Sequence, residues 1–327
     1  MKHSFIFIFL ILFVFISSAQ TDQYFNASIN PEKAKKYVSA LADDSMMGRF
    51  TGSKGNLAAA KYISGELESA GVLPLFDKNY LSPFSYSYNN KKDLTSYNVI
   101  ALLPGKTRPD ELIIFSAHYD HVGTASSNPY PKLNESKNRS DSIYNGANDD
   151  ASGVSAVLML ANYFKALNNN ERSLVFVFFS GEELGLKGSE ALAANVDPQK
   201  IIADINIEMI GRESENSRHP YITGANISNL QSVLNKTLTA TDKKYWRYSY
   251  FESDNYTTES LFTRSDNYSF AKKGIIAHSI MATSPQDEFY HSVKDEAGTL
   301  NYELVAKITA AIALGCKNII NGTVKLK

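Results

Sequence analysis

The chain has 327 residues, of which 43% are hydrophobic, enough to enclose a sizeable core. Its 33 basic and 34 acidic residues nearly cancel, and without an extended basic run there is no electrostatic case for nucleic acid. The only cysteine, Cys316, excludes an internal disulfide; set in an apolar helical pattern, it reads as a small buried residue.

Residues 1–19 read as a secretory signal peptide. Lys2 and His3 form a short polar head, residues 5–16 an apolar run, and Ser17 and Ala19 a small-residue cleavage site. The alternative is an uncleaved anchor, but the run is short against the ~20 residues that span a bilayer. The expectation is an exported protein, periplasmic or extracellular, with no stable membrane association. Residues 20–327 are expected to form a single domain, with a monomer as the favoured state.

Within that domain, Asn30-Pro31-Glu32 supplies an N-cap, a first-turn proline and an acid, predicting a helix over 31–41. A second helix is predicted over 56–70, closed by Gly71. Strands at 98–103 and 111–117 flank a Pro104-Gly105 turn, and the polar stretch 124–144 reads as a loop. Then follow a helix at 151–166, a buried strand at 173–179, a helix at 187–194 and strands at 203–209 and 221–223. Helices at 227–238 and 266–273, a strand at 275–281 and a helix at 301–314 complete the series. This alternation predicts an α/β layered fold, whose ligands sit at the C-terminal ends of strands.

Five motifs fall at such ends. In Ser116-Ala117-His118-Tyr119-Asp120-His121, His118 can offer a nitrogen to a metal and Asp120 can orient it, although most histidines bind nothing. In Gly146-Ala147-Asn148-Asp149-Asp150, paired acids open a helix, which capping alone would explain; their small neighbours also let backbone approach a ligand. Glu182 and Glu183 end a strand that reads as buried on both faces. They are a solvated loop pair, or one ligates a metal while the other moves protons. Glu208 ends the next strand, with Asp204 as its competitor, and His291 follows Phe289-Tyr290. His121, His219 and His278 read as surface or core residues, and of the three His121 is the one expected near the site.

The order His-x-Asp, Gly-Ala-x-Asp, Gly-Glu-Glu, Asn-x-acid-Met-x-Gly, Tyr-His resembles the co-catalytic zinc aminopeptidases, relatives of glutamate carboxypeptidases and glutaminyl cyclases. Gly48-Arg49, Thr51-Gly52-Ser53 and Arg264-Ser265-Asp266 add to the resemblance, which runs from about Ala40 onward. It implies a three-layer α/β/α fold around a mixed, mostly parallel sheet, and two zinc ions per chain. His118 and Glu208 would hold one ion, Glu183 and His291 the other, with Asp149 bridging and a cis peptide bond at Asp149-Asp150. Glu182 would be the catalytic base and Asp120 would orient His118. The ions would share and acidify a water attacking an N-terminal peptide bond, Glu182 taking its proton. A mixed imidazole and carboxylate set favours zinc over magnesium or calcium.

One departure stands out. Glu208 occupies a position where the family usually has Asp, so the His118/Glu208 ion is expected to be the looser. Rival readings are a glutaminyl cyclase, a carboxypeptidase or dipeptidase with Arg264 meeting a substrate carboxylate, and a non-catalytic binding module. The aromatic stretch 245–251, with Tyr256, reads as a strand with one packed face, or alternatively as a pocket wall.

Overall fold

In a computed structural model, the described residues are 26–76, 79–126, 141–213, 219–246, 249–254, 260–283 and 286–327. The expected signal peptide and residues Arg247, Tyr248 and Tyr256 lie outside them.

Helix α1 (Pro31–Leu41) begins where expected, with the Asn30 side chain accepting from the Lys33 N–H at 2.9 Å. Helix α2 (Lys54–Ser69) starts slightly earlier than expected because Ser53 caps it through the Asn56 N–H. After β1 (Leu73–Pro74), β2 (Leu81–Tyr88) and β3 (Lys91–Leu103) form a hairpin. Only the end of β3 was expected. Yet Asn89-Asn90, both at positive φ, is a recognisable hairpin turn, and alternating Phe84, Tyr86 and Tyr88 precede it.

Strand β4 (Arg108–His118) leads through the short pair β5 (Gly123–Thr124) and β6 (Ile143–Tyr144) to helix α3 (Gly153–Leu167). Strand β7 (Arg172–Phe179), helix α4 (Lys187–Asn195), β8 (Ile201–Ile207) and β9 (Tyr221–Ile222) follow. The chain continues through α5 (Leu230–Thr241), β10 (Glu252–Ser253), α6 (Asn267–Ala271), β11 (Ala277–Met281), α7 (Tyr302–Gly315) and α8 (Lys317–Ile320).

Among the described residues the main sheet has nine strands, ordered β1-β3-β7-β4-β8-β11-β9-β10, with β2 also on β3. Its centre, β7-β4-β8-β11, is parallel, and antiparallel pairs flank it. On β7, Leu174, Phe176 and Phe178 face the larger core, under α1, α2, α3, α5 and α7. Val175, Val177 and Phe179 face the smaller one, under α4 and α6. That two-sided burial makes the fold three-layered and explains why β7 reads as a continuous apolar run.

The aromatic stretch corrects one expectation. Among the described residues of this stretch no strand precedes Glu252, and Trp246, Tyr250 and Phe251 are buried in the larger core. Their rings meet edge to face, Trp246 to Tyr250 at 4.9 Å and Tyr250 to Phe251 at 5.2 Å. Cys316 is buried as expected, and among the described residues no helix is long and apolar enough to cross a membrane.

Candidate metal centre

The chain passes from β4 to β7 on one side of β4 and to β8 on the other. The C-terminal ends of these three strands therefore open onto a common crevice. His118 is the last residue of β4, Glu182 and Glu183 follow β7, and Glu208 follows β8. Beyond β8, the Glu208 N–H donates to the Ile280 carbonyl at 3.1 Å, so parallel pairing holds its backbone to the mouth of the crevice. Asp204, the competitor, stays inside the sheet and accepts from the Ser116 hydroxyl at 2.7 Å.

Asp149 enters from the turn Ala147–Ser152, where the Asp149–Asp150 bond is cis as the resemblance implies. The polar side chains beside Asp149 capture backbone instead of facing the crevice. Asp150 accepts from the Gly153 and Met209 N–H groups at 3.0 Å, Ser152 from Ile210 at 3.0 Å, and Asn148 from Gly211 at 2.7 Å. The turn is thereby stitched to the segment carrying Glu208. Gly153 permits this closeness, since a β-carbon there would overlap the Ile207 carbonyl and come within 2.5 Å of Asp150 Oδ2.

Three residues outside the expected site set hold the arrangement. The buried Asp295 accepts from the N–H groups of Asn148 (3.0 Å) and Asp149 (3.1 Å) and pairs with Arg212 at 2.9 Å. Arg212 also reaches Asp287 at 2.6 Å, ahead of His291, so one guanidinium joins both flanks of the His291 loop. Arg49, fully buried, donates to four carbonyls: Tyr119 (2.6 Å), Leu41 (2.7 Å), Asn145 (2.6 Å) and Gly146 (2.9 Å).

The inward-facing atoms form two groups around Asp149. Its Oδ1 lies 3.2 Å from His118 Nε2. Its Oδ2 lies 3.2 Å from His291 Nε2, which is 3.1 Å from Glu183 Oε2. His121, expected only to lie nearby, joins the second group, with Nδ1 2.9 Å from Glu183 Oε1 and 3.7 Å from Asp149 Oδ2. Asp120 also differs in detail from expectation. Its backbone carbonyl, at 3.2 Å, is closer to His118 Nδ1 than its carboxylate at 3.7 Å. The carboxylate accepts instead from the Thr51 hydroxyl at 2.7 Å and from the Glu182 N–H at 3.2 Å.

So many acids in a desolvated crevice reshape one another's protonation. Burial raises the Glu182 carboxyl well above its ordinary range, with Glu183, Glu208 and Asp266 adding to the effect. Burial likewise brings Glu208 to about 6 and Asp266 to about 8. Burial would raise Glu183 too, but His291 and His121 pull it down to about 2. Burial opposes charge on His291, yet Glu183 and Asp149 lift it to about 10. The crevice favours positive charge.

The profile of peptidase family M28 matches residues 98–315, more than half of the chain. The chain belongs to peptidase family M28. It is 30% identical over 168 residues to a probable zinc metalloprotease of Pyrenophora tritici-repentis, covering 50% of this chain and 35% of that protein. It is 24% identical over 234 residues to aminopeptidase YwaD of Bacillus subtilis, covering 67% of this chain and 44% of that protein. The match thus spans less than half of either relative's length. Its fold is that of a zinc aminopeptidase from Bacillus subtilis (TM-score 0.68, 14% identity, 90% of this chain and 96% of that one). The glutaminyl cyclase of Porphyromonas gingivalis is similar as well (TM-score 0.67, 17% identity, 89% and 99% covered).

M28 is a zinc-dependent family, and this chain's crevice fits that ion. The donors are imidazole nitrogens and carboxylate oxygens, a zinc set. His118 Nε2, Glu208 Oε2 and both ring nitrogens of His121 are buried with no hydrogen bond among the described residues. Such atoms are costly unless a cation meets them. His278, by contrast, is satisfied at both nitrogens, by Ser228 and the Thr223 carbonyl, each at 2.8 Å, and is a core residue.

Proposed function

We propose that this M28 chain is an exported aminopeptidase that binds two zinc ions, removing N-terminal residues from peptides. Asp149 carries the reading: its two carboxylate oxygens face different donor groups, His118 on one side and His291 with His121 on the other. In this reading His118, Asp149 and Glu208 would hold one ion, while Asp149, Glu183 and His291 would hold the other. Zinc held there supplies Lewis acidity toward a carbonyl oxygen and acidifies water. The apolar run 5–16 ahead of Ser17-Ser18-Ala19 supports export.

The rest of the chemistry belongs to the chain. Glu182 lines a cleft of about 420 Å³ together with Asp149, Glu183 and Glu208. It takes a proton from the attacking water and returns it to the leaving amine, so the two halves of the reaction balance. Asp120 holds the Glu182 backbone through its N–H and so positions the base. The acidic floor favours a substrate terminus bearing an ammonium, while Met209, Leu261 and Met281 on the wall suit an apolar side chain. A second reading has one observation in its favour. Arg264 and Lys272 share the cleft wall and would suit the carboxylate of a dipeptide or of a carboxypeptidase substrate.

A peptide library digested by the zinc-loaded protein and read by mass spectrometry tests both readings. Loss of N-terminal residues from free peptides, but not from N-acetylated ones, is expected. Equal cleavage of acetylated peptides would remove the aminopeptidase reading, and pyroglutamate products would indicate a cyclase. Glu182→Gln should lower turnover by about 10²–10⁴-fold with zinc content unchanged; undiminished turnover would refute its role as base.

A further inference from the structure

His121 is the buried functional group that the mechanism leaves unused. It sits three residues after His118, is fully buried, and makes no side-chain hydrogen bond among the described residues. We propose that His121 is a fourth protein ligand, through Nδ1, to the ion held by Asp149, Glu183 and His291. It would give that ion one more protein ligand than the His118/Glu208 ion has.

Three observations carry this. Donor atoms of His121, Asp149, Glu183 and His291, one from each, all lie within 4.8 Å of one another, and a tetrahedral zinc with bonds of 2.0–2.1 Å has ligand edges of about 3.3–3.4 Å. The His121 and His291 rings meet at 73° with centroids 5.5 Å apart, as two imidazoles converging on one point would. The backbone also makes room for the ring. At Gly146, which has φ +56°, a β-carbon would come within 2.5 Å of His121 Cγ and 2.6 Å of its Cδ2.

Coordination also accounts for an otherwise unfavourable burial. An imidazole sealed from water recovers little of its lost hydration through one carboxylate contact of 2.9 Å at Nδ1, whereas a metal bond there recovers more. With four protein ligands against three, the Glu183/His291 ion would be the more firmly held of the two and the His118/Glu208 ion the more exchangeable. The inference rests on the two-zinc reading above.

Two measurements decide it. Zinc-edge X-ray absorption of the full chain loaded with one equivalent of zinc should show two imidazoles on the ion; one imidazole would overturn the proposal. The second is chelator competition, comparing wild type with His121→Asn, whose amide can still donate a hydrogen bond toward Glu183. The variant should bind its tighter zinc at least about tenfold more weakly, with the weaker zinc unaffected. Wild-type affinity would mean that His121 only positions Glu183, and the proposal fails. Should the variant not fold, the absorption measurement on wild type stands alone. If wild type binds no zinc at any loading, the two-zinc reading fails as well; two ions with one imidazole each remove only this inference.

Discussion

Replacing Arg49 by Met tests how the bridging turn is held. The guanidinium satisfies carbonyls from three separate places: Leu41 at the end of α1, Tyr119 just past β4, and Asn145 with Gly146 ahead of Asp149. Hydrogen bonds to a charged group contribute about 1.5–3 kcal/mol each, so four unreplaced bonds would cost about 6–12 kcal/mol. Water entering behind the shorter side chain recovers part of this, bringing the loss toward the ~3–5 kcal/mol found when a buried charged network is broken. At about 2–4 °C per kcal/mol, the melting temperature should fall by about 6–20 °C. Melting should be followed with excess chelator present, because zinc bound to the native state would mask the difference. A loss below about 1 kcal/mol would show that the four contacts do not hold the turn. So would full recovery in Arg49→Lys, since one ammonium cannot reach carbonyls spread this way.

Two further substitutions separate the metal centre from its support. Asp295→Asn removes one of two carboxylate oxygens that receive the Asn148 and Asp149 N–H groups and Arg212. Zinc affinity by chelator competition should fall about 10–100-fold; unchanged affinity would mean that the turn is held by its other bonds. Asp204→Asn probes a buried acid below the site, whose carboxyl burial lifts from 3.8 to about 7. The folded state keeps a proton that the unfolded chain has released between about pH 4 and 7, so this group's contribution to stability falls as pH rises through that window. The full rise corresponds to about 4 kcal/mol at 1.36 kcal/mol per pKa unit. Asp204→Asn should thus unfold at higher urea than wild type at pH 8 and at similar urea at pH 4. An equal difference at both values would refute the assignment.

Local physical chemistry made much of this chain legible from its sequence. Helix α1 follows from Asn30 and Pro31, and β7 from an apolar run whose two faces both need covering. The family order of motifs pointed to His118, Asp149, Glu182, Glu183, Glu208 and His291, and all six converge at the ends of three neighbouring parallel strands. The β2–β3 hairpin was missed although Asn89-Asn90 signalled it, because serines and charged residues interrupt the apolar pattern of its flanking strands.

Packing decided the rest. Whether Trp246, Tyr250 and Phe251 form a strand or fill a core depends on α5 and α7, which no local pattern reports. Asp295 and Arg49 act on backbone far away in the chain, Asp295 on a turn some 147 residues earlier, so their roles exist only once the chain is folded. His121 is the sharpest case. In the sequence it is one more histidine after His118; in the fold, the turn after β4 carries it across to Glu183 and His291, into the other half of the centre.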